Sequence, residues 1–320
     1  MMRILFALVI AGMLTACAAA STVSRPETTL AEDKRIALTF DDIPRSRGAF
    51  FDEEERTTRI IANLAAAKVP QAAFFLNPGM ITRRPGAELR IARYIAAGHV
   101  IANHSQTHPH LNATTAAAYL EDIDAAESWL KGREGYRPWF RFPFLDEGGS
   151  DKVKRDAVRT GLAERGLRNG YVTVDASDWF YEQSAVEATK AGQAMDMDAL
   201  HDLYVESHVQ AAEFNDTLAR KTLGRAPAQV MLLHETDLAA LYLVDLVEAL
   251  KAQGWQIVSA DEAFADPISK LQPDVPSAQG TLTEALAWEQ GLPAPRWYER
   301  NNIAVASALF RRKVLGIQKD

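Results

Sequence analysis

The 320-residue chain has a single cysteine, Cys17, so no internal disulfide can staple the fold. It has no basic excess: 35 Lys and Arg stand against 42 Asp and Glu, a formal net charge of −7. That balance excludes the basic face by which a protein grips nucleic acid. Internal repeats and low-complexity tracts are absent, which argues against a solenoid or a fibrous chain. The apolar run at the start, Ile4 to Leu14, is too short to span a bilayer. What is present is 48% hydrophobic residues and 24% charged ones, enough to bury a sizeable core.

The N-terminus reads as an export signal. Arg3 supplies one positive charge, residues 4–14 an apolar core, and small residues follow. Leu14-Thr15-Ala16-Cys17 resembles the bacterial lipobox, which predicts a signal peptide over 1–16 and acylation of Cys17. Cleavage after Ala20, releasing a soluble protein, is the alternative. Acyl chains on Cys17 would hold the protein at a membrane without a transmembrane helix, in the periplasm or at the outer membrane. Residues 17–33 read as a tether.

Beyond the tether, short apolar runs alternate with helical spacing. Strands are predicted at Arg35–Phe40, Ala72–Leu76, His99–Ala102, Trp139–Phe142, Tyr171–Asp175, Gln229–His234 and Trp255–Val258. Helices are predicted at Glu53–Lys68, Ala87–Ala97, Thr114–Leu130, Asp151–Glu164, Asp196–Leu223 and Leu238–Ala252. About seven strands separated by helices indicate an α/β protein with a parallel sheet or barrel. The composition turns proline-rich after Asp266, but Trp288, Trp297, Tyr298 and Phe310 predict a C-terminal extension, 266–320, packed on the domain.

In such folds the C-terminal ends of parallel strands converge on one face. Here those ends carry Asp41-Asp42, His104 leading to His108, Arg141, Asp175 followed by Asp178-Trp179, and His234. Two histidines four apart, on a helical turn or in a tight loop, can present both imidazoles to one ion. With one carboxylate they form a two-His, one-carboxylate set that leaves positions open for water and substrate. Zinc fits such ligands and needs no redox chemistry; Co²⁺ or another divalent ion is possible. Adjacent carboxylates at Asp41 and Asp42 repel unless a metal compensates one and an arginine the other. His234 ends an apolar strand, and a carboxylate beside it, with Asp178 the candidate, would keep it protonated.

Together these segments resemble the polysaccharide deacetylases, family 4 of the carbohydrate esterases, which carry five short motifs in fixed order. Thr39-Phe40-Asp41-Asp42 matches the first and His104-Ser105-Gln106-Thr107-His108 the second. Arg141-Phe142-Pro143-Phe144 resembles the third, Asp178-Trp179 matches the fourth, and Leu232-Leu233-His234 the fifth. The resemblance implies a distorted (β/α)7 barrel over 34–265. It implies Asp41 as general base, Asp42, His104 and His108 as metal ligands, and Arg141 orienting Asp41. It implies His234 as general acid assisted by Asp178, Trp179 and Leu232 walling the acetyl pocket, and the Phe144 backbone N–H as an oxyanion donor. The third motif usually continues with tyrosine and glycine; Phe144-Leu145-Asp146 here leaves the groove shape open. The stretch from Tyr181 to Ala228 is long for the gap between the last two motifs, so Met195, Met197 and the helix after them form either a lid or an extra packed helix.

The expected activity is metal-dependent removal of N-acetyl groups from an amino-sugar polysaccharide or oligosaccharide. The alternatives are an O-acetyl esterase on a decorated glycan such as xylan and, in another class, a non-catalytic glycan-binding lipoprotein. The presence of every expected catalytic side chain argues against the last.

Overall fold

The computed structural model describes residues 34–275 and 280–317. The expected signal segment, Cys17 and the tether lie outside the described residues. No described helix is long and apolar enough to cross a membrane.

Seven strands are described: β1 (Arg35–Ile43), β2 (Ala73–Leu76), β3 (Val100–Asn103), β4 (Tyr136–Phe140), β5 (Arg168–Asn169), β6 (Gln229–His234) and β7 (Gln256–Ile257). Every pairing among them is parallel, in the order β5-β4-β3-β2-β1-β6. β7 pairs with β1 at Arg35 and Ile36, before β2 joins β1 at Thr39. The two edges of this sheet meet through one short segment. β5 bonds β4, and a few residues later Val174 bridges Met231 of β6, with Leu232 N donating to Val174 O at 2.9 Å. The result is a distorted (β/α)7 barrel.

The strand expected at Tyr171–Asp175 is corrected to that single bridge. Its carbonyls are taken elsewhere: Arg141 donates to Gly170 O and Tyr171 O, and Leu282 N donates to Val172 O. Gly170 lies against the Phe75 ring, where an added Cβ would come within 2.6 Å.

Alternation along the strands explains the two apolar layers. Leu38, Phe40, Phe74, Met231 and Leu233 face the outer helices. Ala37, Ala73, Phe75, Ala102, Trp139 and Val230 fill the barrel, together with Phe264 from α8 (Ala260–Ala265). The helices α1 (Glu53–Ala66), α2 (Ala87–Ala96), α3 (Ala116–Leu130) and α4 (Lys152–Glu164) connect successive strands. Side chains cap the starts of α1, α3 and α4, from Asp52, Thr115 and Asp151. The Asp52 side chain accepts from Glu55 N, and Glu53, Glu54 and Glu55 sit in the positive first turn of α1.

Between β5 and β6 the chain forms two helices, α5 (Asp178–Lys190) and α6 (Met197–Leu223), before α7 (Asp237–Ala252). α5 is absent from the sequence reading, because its cap residue Ser177 adopts a left-handed conformation and makes no side-chain capping bond. α6 is a packed helix and not a lid: Leu200, Leu203, Tyr204, Ala211 and Ala212 are buried in the outer core. After Asp266, α9 (Leu282–Glu289) and α10 (Ile303–Lys313) pack mainly against α6 and α5.

Candidate active site

The barrel's inward rows continue past the core into polar groups. Thr39 is followed two residues on by Asp41, Ala102 by His104, Trp139 by Arg141, and Leu232 by His234. Period-two alternation therefore aims all four at one end of the barrel. Asp41 and His234 are direct register partners on adjacent strands. Asp42 departs from the row. Its φ of 65° is left-handed, and the β1–β2 register shifts between Phe40 and Ile43, which turns its carboxylate toward the same cleft.

Asp42, His104 and His108 offer ligand atoms within 4.8 Å of one another. His108 Nε2 lies 3.0 Å and His104 Nε2 3.5 Å from Asp42 Oδ1. That oxygen is buried and receives no well-aligned hydrogen bond. His104 Nδ1 sits 2.9 Å from the carbonyl of Arg141, which can only accept, so Nδ1 donates there and Nε2 is the ring nitrogen that faces the cluster. Burial pulls the His108 imidazole below its ordinary pKa, toward the neutral form that binds metals. Burial pushes the Asp42 carboxyl up, but the imidazoles of His104 and His108 and the charges of His234 and Arg45 hold it well below the usual value. Two imidazoles converging on a carboxylate whose Oδ1 lacks a hydrogen-bond partner fit a divalent cation.

The HxxxH segment is a tight loop. Ser105 and His108 are left-handed, and the loop is held from three sides. Asn77 Nδ2 donates to His104 O at 2.5 Å, Asn103 Oδ1 accepts from Ser105 N at 2.7 Å, and Asp122 Oδ2 accepts from Gln106 N at 2.9 Å. Gly79 N donates to Gln106 O at 3.1 Å, and a Cβ on Gly79 would fall 2.4 Å from that oxygen.

A carboxylate and an imidazole, Asp41 and His234, flank the cluster. Asp41 Oδ1 accepts from Arg141 Nη1 at 2.6 Å. Arg141 is itself locked: Nη1 donates to Thr39 Oγ1 at 2.8 Å, Nε to Gly170 O at 2.6 Å, and the guanidinium lies 3.8 Å over the Phe75 ring. His234 lies 4.0 Å from Asp42 through Nε2, while its Nδ1 is 2.7 Å from Asp178 Oδ1. Asp178 Oδ2 also accepts from His234 N at 2.7 Å. Burial disfavours the charged His234 imidazolium, yet the Asp178 charge and hydrogen bond override it and raise its pKa. Burial likewise pushes Asp178 up, and His234 reverses this and lowers it. Asp175 is pushed up to about 6 by burial.

Asp41, Asp42, His104, His108, Asp175 and His234 line a cleft of about 550 Å³. Trp179, Leu232 and Phe144 form part of its wall. Phe144 has a left-handed φ of 58°, stacks on the His110 ring at 3.5 Å and meets His108 edge-on at 4.4 Å. Of the seven described non-glycine residues with positive φ, all but Lys68 lie in the segments that build this site. Backbone strain concentrated this way marks positions the surrounding structure holds for function.

A family model described as polysaccharide deacetylase matches residues 29–164. A peptidoglycan-N-acetylglucosamine deacetylase of Bacillus cereus is 35% identical over 235 residues, covering 72% of this chain and 68% of that protein. The chain belongs to the polysaccharide deacetylase family. Another relative, the peptidoglycan-N-acetylglucosamine deacetylase of Listeria monocytogenes, is 26% identical over 252 residues, 78% of this chain but only 43% of that protein. This deacetylase-family chain thus spans less than half the length of that relative. Among solved structures, a family 4 carbohydrate esterase from Streptomyces lividans in complex with acetate aligns at 22% identity and a TM-score of 0.47, covering 73% of this chain and 97% of the other. The barrel assignment rests on the strand order and not on that likeness.

Some site residues of this family member escape motif reading. Arg45 Nη1 lies 2.8 Å from Asp42 Oδ2, and its backbone N donates to Glu235. Asn77, just past β2, and Asp122, on α3, hold the histidine loop from outside its motif. His110, which lies outside the motifs, is the ring on which Phe144 stacks. Asn77, at the end of apolar β2, followed the same strand-end rule that located the others.

Proposed function

We propose that this protein is a metal-dependent hydrolase that removes N-acetyl groups from an amino-sugar glycan. The observation that carries the reading is the placement of a carboxylate and an imidazole, Asp41 and His234, in register on neighbouring strands beside the Asp42–His104–His108 cluster. A divalent ion on that cluster, with zinc the first choice, would polarise the acetyl carbonyl and lower the pKa of water. Asp41, its Oδ1 engaged by Arg141, keeps Oδ2 toward the cluster and takes the proton from the attacking water. His234, held protonated by Asp178, gives its proton to the departing nitrogen, otherwise a very poor leaving group. The Phe144 backbone N–H, reachable because of that residue's left-handed turn, donates to the developing oxyanion. Trp179 and Leu232 enclose the acetyl methyl.

The relatives named above are deacetylases of peptidoglycan N-acetylglucosamine, which supports amide over ester substrates here. Removal of O-acetyl groups is the second reading, since an ester uses the same groups and depends less on His234. Action on an envelope glycan also suits the sequence signal for export and lipidation at Cys17. The test is acetate release from chitin oligomers, peptidoglycan, poly-N-acetylglucosamine and acetylated xylan. Chelation is expected to abolish release and Zn²⁺ or Co²⁺ to restore it; full activity in metal-free protein would remove the metal from the mechanism.

A further inference from the structure

Of the nine large apolar side chains exposed among the described residues, four line this one cleft: Phe144 (46%), Trp179 (37%), Trp297 (46%) and Ile303 (40%). Exposed apolar groups that converge, in place of scattering singly, mark a contact surface. Trp297 and Ile303 come from the segment after Asp266, beyond every motif that defines the family resemblance. That segment is tied down on both sides. Asn301 Nδ2 donates to Asp175 O at 3.0 Å on the barrel rim. Tyr298 OH donates to Gln210 at 2.9 Å, and Arg300 to Glu206 and Ser207 at 2.9 Å, all on α6. The long α6 thus serves as the mount for this wall. Polar acceptors share it: Glu284 and Asp175 also line the cleft.

We infer that Trp297, backed by Ile303, forms a second glycan-contacting wall on which a sugar ring neighbouring the acetylated one stacks. An aromatic plane in a cleft that also holds hydrogen-bond acceptors complements a pyranose, which has apolar C–H faces and a rim of hydroxyl donors. The inference rests on the glycan reading above and sharpens it: the substrate is a chain of sugars, and the contact beyond the acetylated unit contributes to affinity. Because the segment is already fastened, little ordering cost opposes the stack.

The test measures binding and turnover separately on the full chain. Calorimetric titration in EDTA, where turnover is suppressed, uses N-acetylglucosamine, its tetramer and acetylated xylotetraose. Wild type is expected to bind at least one tetramer more tightly than the monomer. Trp297→Ala should weaken that tetramer about five- to tenfold, the scale of one aromatic stack, and leave the monomer unchanged. Trp297→Phe should restore most of the loss, and Ile303→Ser should act in the same direction to a smaller extent, which keeps the wall testable if the alanine variant melts early. Tetramer affinity equal to that for the monomer, or unchanged in Trp297→Ala and Ile303→Ser, overturns the wall. Acetate release by the zinc-loaded wild type is scored in parallel. Its absence together with Trp297-dependent binding would overturn the hydrolase reading and leave the wall standing. Its presence with kcat/KM for tetramers unaltered in Trp297→Ala would do the reverse.

Discussion

Asp178→Asn tests the interaction that sets the proton on His234. The asparagine keeps an oxygen that can accept from Nδ1 but removes the negative charge 2.7 Å from the ring, and with it the acceptor for His234 N. Both groups are almost wholly shielded from water, so solvent screening does not erase the effect. A hydrogen bond to a charged group contributes about 1.5–3 kcal/mol, and one pH unit corresponds to about 1.4 kcal/mol, so the His234 pKa should fall by about 1–2 units. A general acid works only while protonated, so kcat/KM declines as pH rises through that pKa. The alkaline limb of the wild-type profile is expected above the ordinary histidine value, and that of Asp178→Asn about 1–2 units lower. The same shift has a stability consequence of fixed sign. A raised native pKa contributes stability that is full below the unfolded-state value and is lost as pH rises through the native one. The wild type should therefore lose more stability than the variant on going from acid to alkaline pH across this window. Acetate release against pH, with denaturant midpoints at each pH, reads both. An alkaline limb that stays in place while activity merely scales down would refute the claim that Asp178 tunes this proton.

Arg141→Met leaves Asp41 a buried carboxylate without its cation and frees the carbonyls of Gly170 and Tyr171, at a cost of about 3–5 kcal/mol in denaturant unfolding; a loss under about 1 kcal/mol would contradict the buried pairing described for this side chain. Cys17→Ser should leave the expressed protein unlipidated and shift it from the membrane to the soluble fraction, and unchanged fractionation would count against acylation at Cys17.

The strand-end side chains were readable because the barrel's alternation is local. A residue two positions past a buried inward side chain points the same way, so Asp41, His104, Arg141 and His234 announce themselves from short apolar runs. Most helix bounds are equally local. α5 and the reduced strand near Tyr171 were not readable, because neither follows local preference. One begins at a left-handed serine without a capping bond, and the other surrenders its carbonyls to Arg141 and Leu282, far away in the chain.

What the sequence by itself determined is the set of chemical groups and their family, since five motifs in order specify side chains and their strand-end positions. Only the tertiary structure decided which groups meet. The closure of the sheet through Val174, the left-handed turns that aim Asp42 and His108 inward, the pairing of Arg45 with Asp42, and the mounting of Trp297 on α6 all depend on contacts between distant segments. No propensity or period encodes them. They follow from hydrogen bonds and packing that exist only once the barrel has formed.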